Sequence, residues 1–389
     1  MIENINKKNG WKIEELPKLV FFQEGPGVRN NQYTDSGVKL LNVANLKDGN
    51  LYLDNTDRYI SEEEAYGKYK HFLVDEGDLI IASSGIKVEY FDKKIGFAKK
   101  EHLPLCMNTS TIRFKTLDDN ILNIEYFAYF LKTNYFKKQI TRLITGSAQL
   151  NFGPSHLKQI KVILPPIDVQ IKLVEVLDKA QELINKRKEQ IELLDELVKS
   201  RFIEMFGDVI INSKNWDTNL LGEMCELKAG KNIKAKYIYK NNSKDLYPCY
   251  GGNGLRGYVE KYSHEGEFSL IGRQGALCGN VKYVRGKFYA TEHAVVVTSK
   301  IKINNYWLYF TLKELNLNRL STGAAQPCLT VAKLNKVEIP KLPIELQNQF
   351  ADFVTKIDKL KFEMEQSLKE LEDNFNSLMQ KAFKGELFE

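Results

Sequence analysis

The chain contains one segment twice, and this duplication limits its possible folds more than any other feature. Thr145-Gly146-Ser147-Ala148-Gln149 recurs 177 residues later as Thr322-Gly323-Ala324-Ala325-Gln326. The register then holds without a gap. Leu157 falls on Leu334, Pro166-Ile167 on Pro343-Ile344, Gln170 on Gln347, and Phe206 on Phe383. A period this long is a whole structural unit used twice, not a solenoid of small repeats.

Residues 168–206 read as one long helix. Apolar side chains recur every seven residues at Leu177, Ile184, Ile191 and Val198, Leu194 holds an intermediate position, and neither Gly nor Pro intervenes before Gly207. The second copy repeats both rows, one through Val354, Leu368 and Phe375, the other through Ile357, Met364, Leu371 and Leu378. These are the rows of a coiled-coil seam. Proline breaks precede each helix, at Pro165-Pro166 and at Pro340 and Pro343. At ~1.5 Å per residue each helix would be ~57 Å long. A seam so narrow needs a partner, and the nearest is the other copy.

The remaining stretches look globular and mixed, giving four segments: 1–166, 167–207, 208–343 and 344–389. Strand-like runs occur at 77–82, 268–272 and 294–297, and helical patterns rich in Tyr and Phe at 124–136 and 305–315. Each lobe opens near a tryptophan, Trp11 or Trp216, followed by Leu and Met at helical spacing. The lobes differ from each other far more than the helices do, as expected of a fixed scaffold presenting two different readers. The fold class expected is α+β, with two mixed lobes separated by long helices in a pseudo-two-fold repeat.

Charge follows the same division. The lobes 1–166 and 207–340 carry net +3 and +8, whereas 167–206 and 341–389 carry −2 and −3. Basic lobes favour polyanions, because each neutralised phosphate releases condensed counterions. The five cysteines are scattered and form no Cys-x-x-Cys, which argues for a reducing cytoplasm and against a disulfide framework or zinc site. The polar opening residues do not read as a signal peptide, and no apolar run approaches the ~18 residues of a membrane span.

Motifs for catalysis are sparse. Gly252-Asn253-Gly254-Leu255-Arg256-Gly257 fits Gly-x-Gly-x-x-Gly, but no apolar strand precedes it and Tyr258–Tyr262 alternates like a strand, so it reads as a turn. No phosphate-binding Gly-x-x-x-x-Gly-Lys loop is present, the five histidines lack metal-ligand spacing, and no carboxylate spacing singles out a nuclease centre. What does stand out is a set of donor-rich loops punctuated by glycine. Arg273 and Gln274 stand between Gly272 and Gly275, and Arg and Gln can be bidentate to guanine and adenine respectively. Ser83, Ser84 and Lys87 follow a comparable run in the first lobe. Asn108-Thr109 and the segment ending at His293 read as equivalents, and the duplicated loops add Thr145, Ser147 and Gln149, then Thr322 and Gln326.

With its repeated loops, proline breaks, long helices and Phe383-Lys384-Gly385-Glu386-Leu387-Phe388 ending, the sequence resembles the specificity subunit of a type I restriction–modification system. The stretch from Tyr247 to His293 is similar to that family's target-recognition domains, and Tyr250, Asn253 and Arg256 are carried over by position. The resemblance spans the whole chain and its order of lobe, helix, lobe, helix. It implies a non-catalytic reader of double-stranded DNA whose lobes each bind half of a split target while the helices pair antiparallel and set the spacing. It also implies two methyltransferase subunits and restriction/translocase subunits as partners, with S-adenosylmethionine, ATP and magnesium belonging to those partners and no cofactor or metal to this chain. Two alternatives stay open on the residues: a stand-alone DNA methyltransferase or nuclease, and a coiled-coil scaffold without sequence specificity.

Overall fold

The computed structural model describes residues 10–54, 57–144, 149–275, 277–323 and 327–388. The chain divides into two compact units, one of 1–186 with 368–389, the other of 187–367. The division falls inside both long helices, which run Ile167–Phe206 and Ile344–Lys384. Each helix stops at a glycine in the left-handed region, Gly207 at φ +79° and Gly385 at φ +68°. That conformation costs glycine little and closes the last turn.

In the first unit, Leu173, Val174 and Leu177 of the first long helix share a core with Met379, Ala382 and Phe383 of the second. In the second unit, Val198, Phe202 and Phe206 of the first share a core with Phe350 and Val354 of the second. Early residues of one helix meet late residues of the other in both units, so the helices pair antiparallel. The seam follows the heptads. Leu177, Ile184, Leu194, Val198 and Val354 are buried, while Ile191, Ile357, Met364, Leu368, Leu371, Phe375 and Leu378 are half-buried. Lys361, which stands in the seam row between Val354 and Leu368, bonds Asp195 of the facing helix at 2.6 Å.

The globular part of the first unit centres on an antiparallel sheet ordered Val20–Glu24, Thr111–Thr116, Leu79–Ala82, Ile95–Phe97. The second unit repeats that order with Cys225–Ala229, Ala294–Ser299, His264–Gly272 and Val281–Ala290, then adds Tyr247–Gly251 and Gly254–Val259. Even the register is shared. Ile112 faces Glu24 as Val295 faces Ala229, and Thr111 faces Ala82 as Ala294 faces Gly272.

The lobes meet the helices through a repeated polar bond set. Gln170 accepts from the Asn123 amide at 2.9 Å and donates to the Pro165 carbonyl at 2.8 Å. Gln347 accepts from the Asn304 amide and donates to the Leu342 carbonyl, both at 2.9 Å. Both glutamines are buried, where an unpaired amide would be costly. Beside them Tyr126 stacks on Phe383, and Trp307 meets Phe206 edge-on.

Three local expectations change. The helical pattern at 124–136 is two helices, Ile124–Lys132 and Asn134–Leu143, because Thr133 ends one and caps the next through its hydroxyl. The residues after Trp11 and Trp216 form strands, Lys12–Glu15 and Thr218–Leu220, since each pairs with the strand entering a long helix. The sequence places the duplicated loops immediately before each lobe's last strand, but the short helices Pro154–Leu157 and Val331–Leu334 intervene. Among the described residues no helix is long and apolar enough to cross a membrane.

Candidate nucleic-acid interface

At one end of each sheet, loops from distant parts of the chain converge on a shared backbone pattern. In the first unit the Ser83 amide donates to the Ser110 carbonyl at 2.8 Å, and the Phe152 amide donates to the Ser83 carbonyl at 2.9 Å. In the second, the Arg273 amide donates to the His293 carbonyl at 3.0 Å, and the Leu329 amide donates to the Arg273 carbonyl at 2.9 Å. Ser84 then pairs with Asn151, and Gln274 with Cys328. Asn151 and Cys328 are equivalent in the 177-residue repeat, so equivalent residues pair at the same place in both units. The backbone pattern equates Ser83-Ser84-Gly85 with Arg273-Gln274-Gly275, and Asn108-Thr109-Ser110 with Thr291-Glu292-His293.

The glycines make these platforms possible. Gly85 and Gly275 stand at φ +72° and +86°, with open space where a side chain would begin. A Cβ on Gly272 would lie 2.1 Å from the Gly252 carbonyl oxygen, so only glycine lets these two strand ends approach. In the Gly-rich segment only Gly252-Asn253 is the hairpin turn; Gly254–Gly257 already belongs to the strand Gly254–Val259, which starts earlier than the expected run Tyr258–Tyr262 and ends before it does.

On this common backbone the side chains differ. In the second unit Gln274, Asn253, Arg256 and Thr322 are exposed, and Tyr250, Arg273 and His293 are half-buried. His293 lies 3.2 Å from the Glu292 carboxylate. Arg273 Nε, Thr291 Oγ1 and Glu292 Oε2 are buried without a hydrogen-bond partner among the described residues. Such orphans are costly unless something outside the chain meets them.

In the first unit Lys87, Thr109 and Gln149 are exposed and Ser84 is half-buried. Two residues singled out as readers lie beneath the surface, which corrects their expected exposure. Ser83 is fully buried, because its peptide is held on both sides by neighbouring strands. Asn108 is 2 % exposed, and its side chain accepts from the Val28 and Thr109 amides and donates to Asn42. Both shape the platform from below. Thr145, Ser147 and Gln326 lie outside the described residues.

Glu24 belongs to this set, although no motif in the sequence marks it. Its carboxylate takes a backbone hydrogen bond from Ser110 and lies 3.3 Å from where a Cβ on Gly153 would stand. Partial burial pushes its pKa up, and the Ser110 bond opposes that only in part. The signal available was its place just before Gly25-Pro26-Gly27, at a strand end. Together the two edges offer guanidinium, amide, hydroxyl, imidazole and carboxylate groups, the set that reads donors and acceptors on base edges. Among the described residues no group of three or more His, Cys, Asp and Glu is placed to hold a metal ion.

Comparison with known proteins bears on this geometry. The family description of a type I restriction modification DNA specificity domain matches residues 9–193 and again 213–373. The EcoprrI specificity subunit of a type I restriction enzyme from Escherichia coli is 39% identical over 197 residues, covering 49% of this chain and 49% of the relative. That match spans about half the relative's length. A putative MjaX specificity subunit from Methanocaldococcus jannaschii is 22% identical over 381 residues, covering 90% and 87% of the two chains. Among solved structures, the S subunit of a type I restriction–modification system from M. genitalium superposes with a TM-score of 0.56 at 18% identity, covering 98% of each chain. A chain from a study of complex assembly and conformational transition in the type I system gives 0.61 at 17% identity, covering 98% and 99%.

Proposed function

The chain belongs to the type I restriction modification DNA specificity family, and from that premise we propose that it reads a bipartite sequence in double-stranded DNA and directs partner subunits to it. Each platform contacts the major groove of one half-site, and the paired helices fix the number of base pairs between the halves. The chain itself is non-catalytic. Two methyltransferase subunits bring S-adenosylmethionine and flip the adenines they modify, restriction/translocase subunits bring ATP and magnesium, and the complex works in the cytoplasm. Exposed apolar side chains on the helices, among them Leu193, Leu197 and Phe362, offer contact points for the methyltransferases.

The observation that carries this reading is one backbone platform built twice with different side chains. A repeated fold that needed those side chains for stability would keep them, whereas readers of unlike half-sites must vary them. The test is selection from a random duplex library by the full chain together with its methyltransferase partner. The expected product is a two-part motif with a fixed spacer. Arg273→Ala should relax one half by about 1–3 kcal/mol on its cognate base and leave the other half unchanged. Enrichment of a single uninterrupted site, or methyl transfer by the chain alone, would overturn the proposal.

A further inference from the structure

Between Glu226 and Asp245 the chain carries six lysines and no acidic residue. Lys228 pairs with Glu226 at 2.7 Å. The other five, Lys231, Lys234, Lys236, Lys240 and Lys244, are all exposed, and among the described residues none has a carboxylate partner. Their segment leaves the strand Cys225–Ala229 directly under the second platform. The Gly230 amide donates to the Ala294 carbonyl, and the Lys231 amide donates to the Ala290 carbonyl, each at 3.0 Å. A Cβ on Gly230 would lie 2.1 Å from the Ala290 oxygen. Further on, Tyr239 forms a bridge with Tyr258, so the strap is tied to the sheet at Gly230-Lys231 and again at Tyr239, with Lys240 and Lys244 beyond the second tie. Tyr237 and Tyr239 stand exposed among the lysines, and Lys236 lies 4.9 Å over the Tyr237 ring.

The first unit supplies an internal control. Its equivalent segment, from Gly25 to Gly37, leaves the matching strand the same way, with the Gly25 amide donating to the Thr111 carbonyl at 2.9 Å. It carries only Arg29 and Asp35 as charged residues. The fold at this position therefore does not require lysines.

Resting on the reading of the chain as a bipartite DNA binder, we infer that the strap from Lys231 to Lys244 is a phosphate clamp that grips the DNA backbone beside the second half-site and that the first unit lacks. Ammonium groups without carboxylate partners begin beside the platform at Lys231 and continue along the strap to the outer strand, where they can neutralise consecutive phosphates and displace counterions. They carry no base information, so the clamp adds affinity equally to every sequence. The second unit thus has a charge-based hold at this position that the first unit lacks.

The test compares the full chain with a variant carrying Lys→Gln at 231, 234, 236, 240 and 244, and with one carrying Lys→Arg at the same positions. Binding to a random-sequence duplex is measured from low to moderate salt. Each lost phosphate contact flattens the slope of log affinity against log salt by about 0.9, so the glutamine variant should lose about 2 to 4 in slope. The selected motif should not change, and the arginine variant should keep the wild-type slope. An unchanged slope in the glutamine variant, or an equal loss in the arginine variant, overturns the clamp. If the wild-type chain selects no two-part motif, the family-based reading fails first and the clamp falls with it; a wild-type motif with an unaltered slope sinks the clamp alone.

Discussion

Glu24 carries a carboxylate whose burial works against the fold. Its counterpart in the second unit is Ala229, in the same strand position and facing the same neighbour, so the sheet does not need a carboxylate there. Burial raises its pKa, which means the folded chain holds the proton more tightly than the unfolded chain does. The ionised form is then disfavoured on folding, and the penalty is present above the folded value and absent below the ordinary 4.5. Glu24→Gln keeps an acceptor for Ser110 and removes the charge. It should raise the melting temperature at pH 7, and the gain should shrink on acidification and vanish below about pH 4.5, measured by thermal melts across that range. A variant less stable than wild type at pH 7 would show that the Ser110 hydrogen bond outweighs the burial. A penalty kept at a platform edge fits a carboxylate that accepts from the exocyclic amine of cytosine. Residue type alone could not show this. Arg273 and Gln274 stand out between glycines in the sequence, whereas Glu24, Ser83 and Asn108 differ only in burial, which depends on strands far away in the chain.

At the scale of elements, the buried glutamines explain why helix and lobe keep one geometry in both copies. Gln170 holds three backbone groups at once, the Asn123 amide and the Ile121 and Pro165 carbonyls. Asn123 also caps the helix Ile124–Lys132 by accepting from the Tyr126 amide, so the network sets where that helix begins. Gln170→Met conserves volume and leaves all three groups unpaired. It should cost about 1–3 kcal/mol of stability, read as a lower midpoint for the first unit in denaturant melts. No loss would mean that water replaces the amide. The long helices were legible in the sequence because heptads are local and their two copies kept one offset. Single strands were legible at 77–82, 268–272 and 294–297, but the match between the two sheets was not, because the offset drifts. Trp11 and Trp216 are 205 residues apart, Ser83 and Arg273 are 190, and Asn151 and Cys328 are 177. Loops of different length between matching strands erase any constant register, while the backbone hydrogen bonds preserve the match.

For the whole molecule, duplication separates two properties that a single domain would have to combine. The helices share a seam and the glutamine networks, and their two copies remain alike; the platforms and their flanking segments differ between the copies, as do the lobes' net charges, at +3 and +8. If the paired helices determine the spacing of half-sites, their length is a quantity the target must follow. Seven residues inserted after Lys186 and seven after Ser367 keep every a and d position in phase, so the seam survives. The insertion adds ~10.5 Å of helix, at ~1.5 Å per residue, and a base pair advances ~3.4 Å. The permitted spacer in the selected motif should therefore lengthen, by up to about three base pairs, while the two half-sites stay the same. Inserting three residues instead would break the heptad phase and should weaken binding at every spacer. A motif with an unchanged spacer after the seven-residue insertion would mean that the partner subunits, and not these helices, set the distance on DNA.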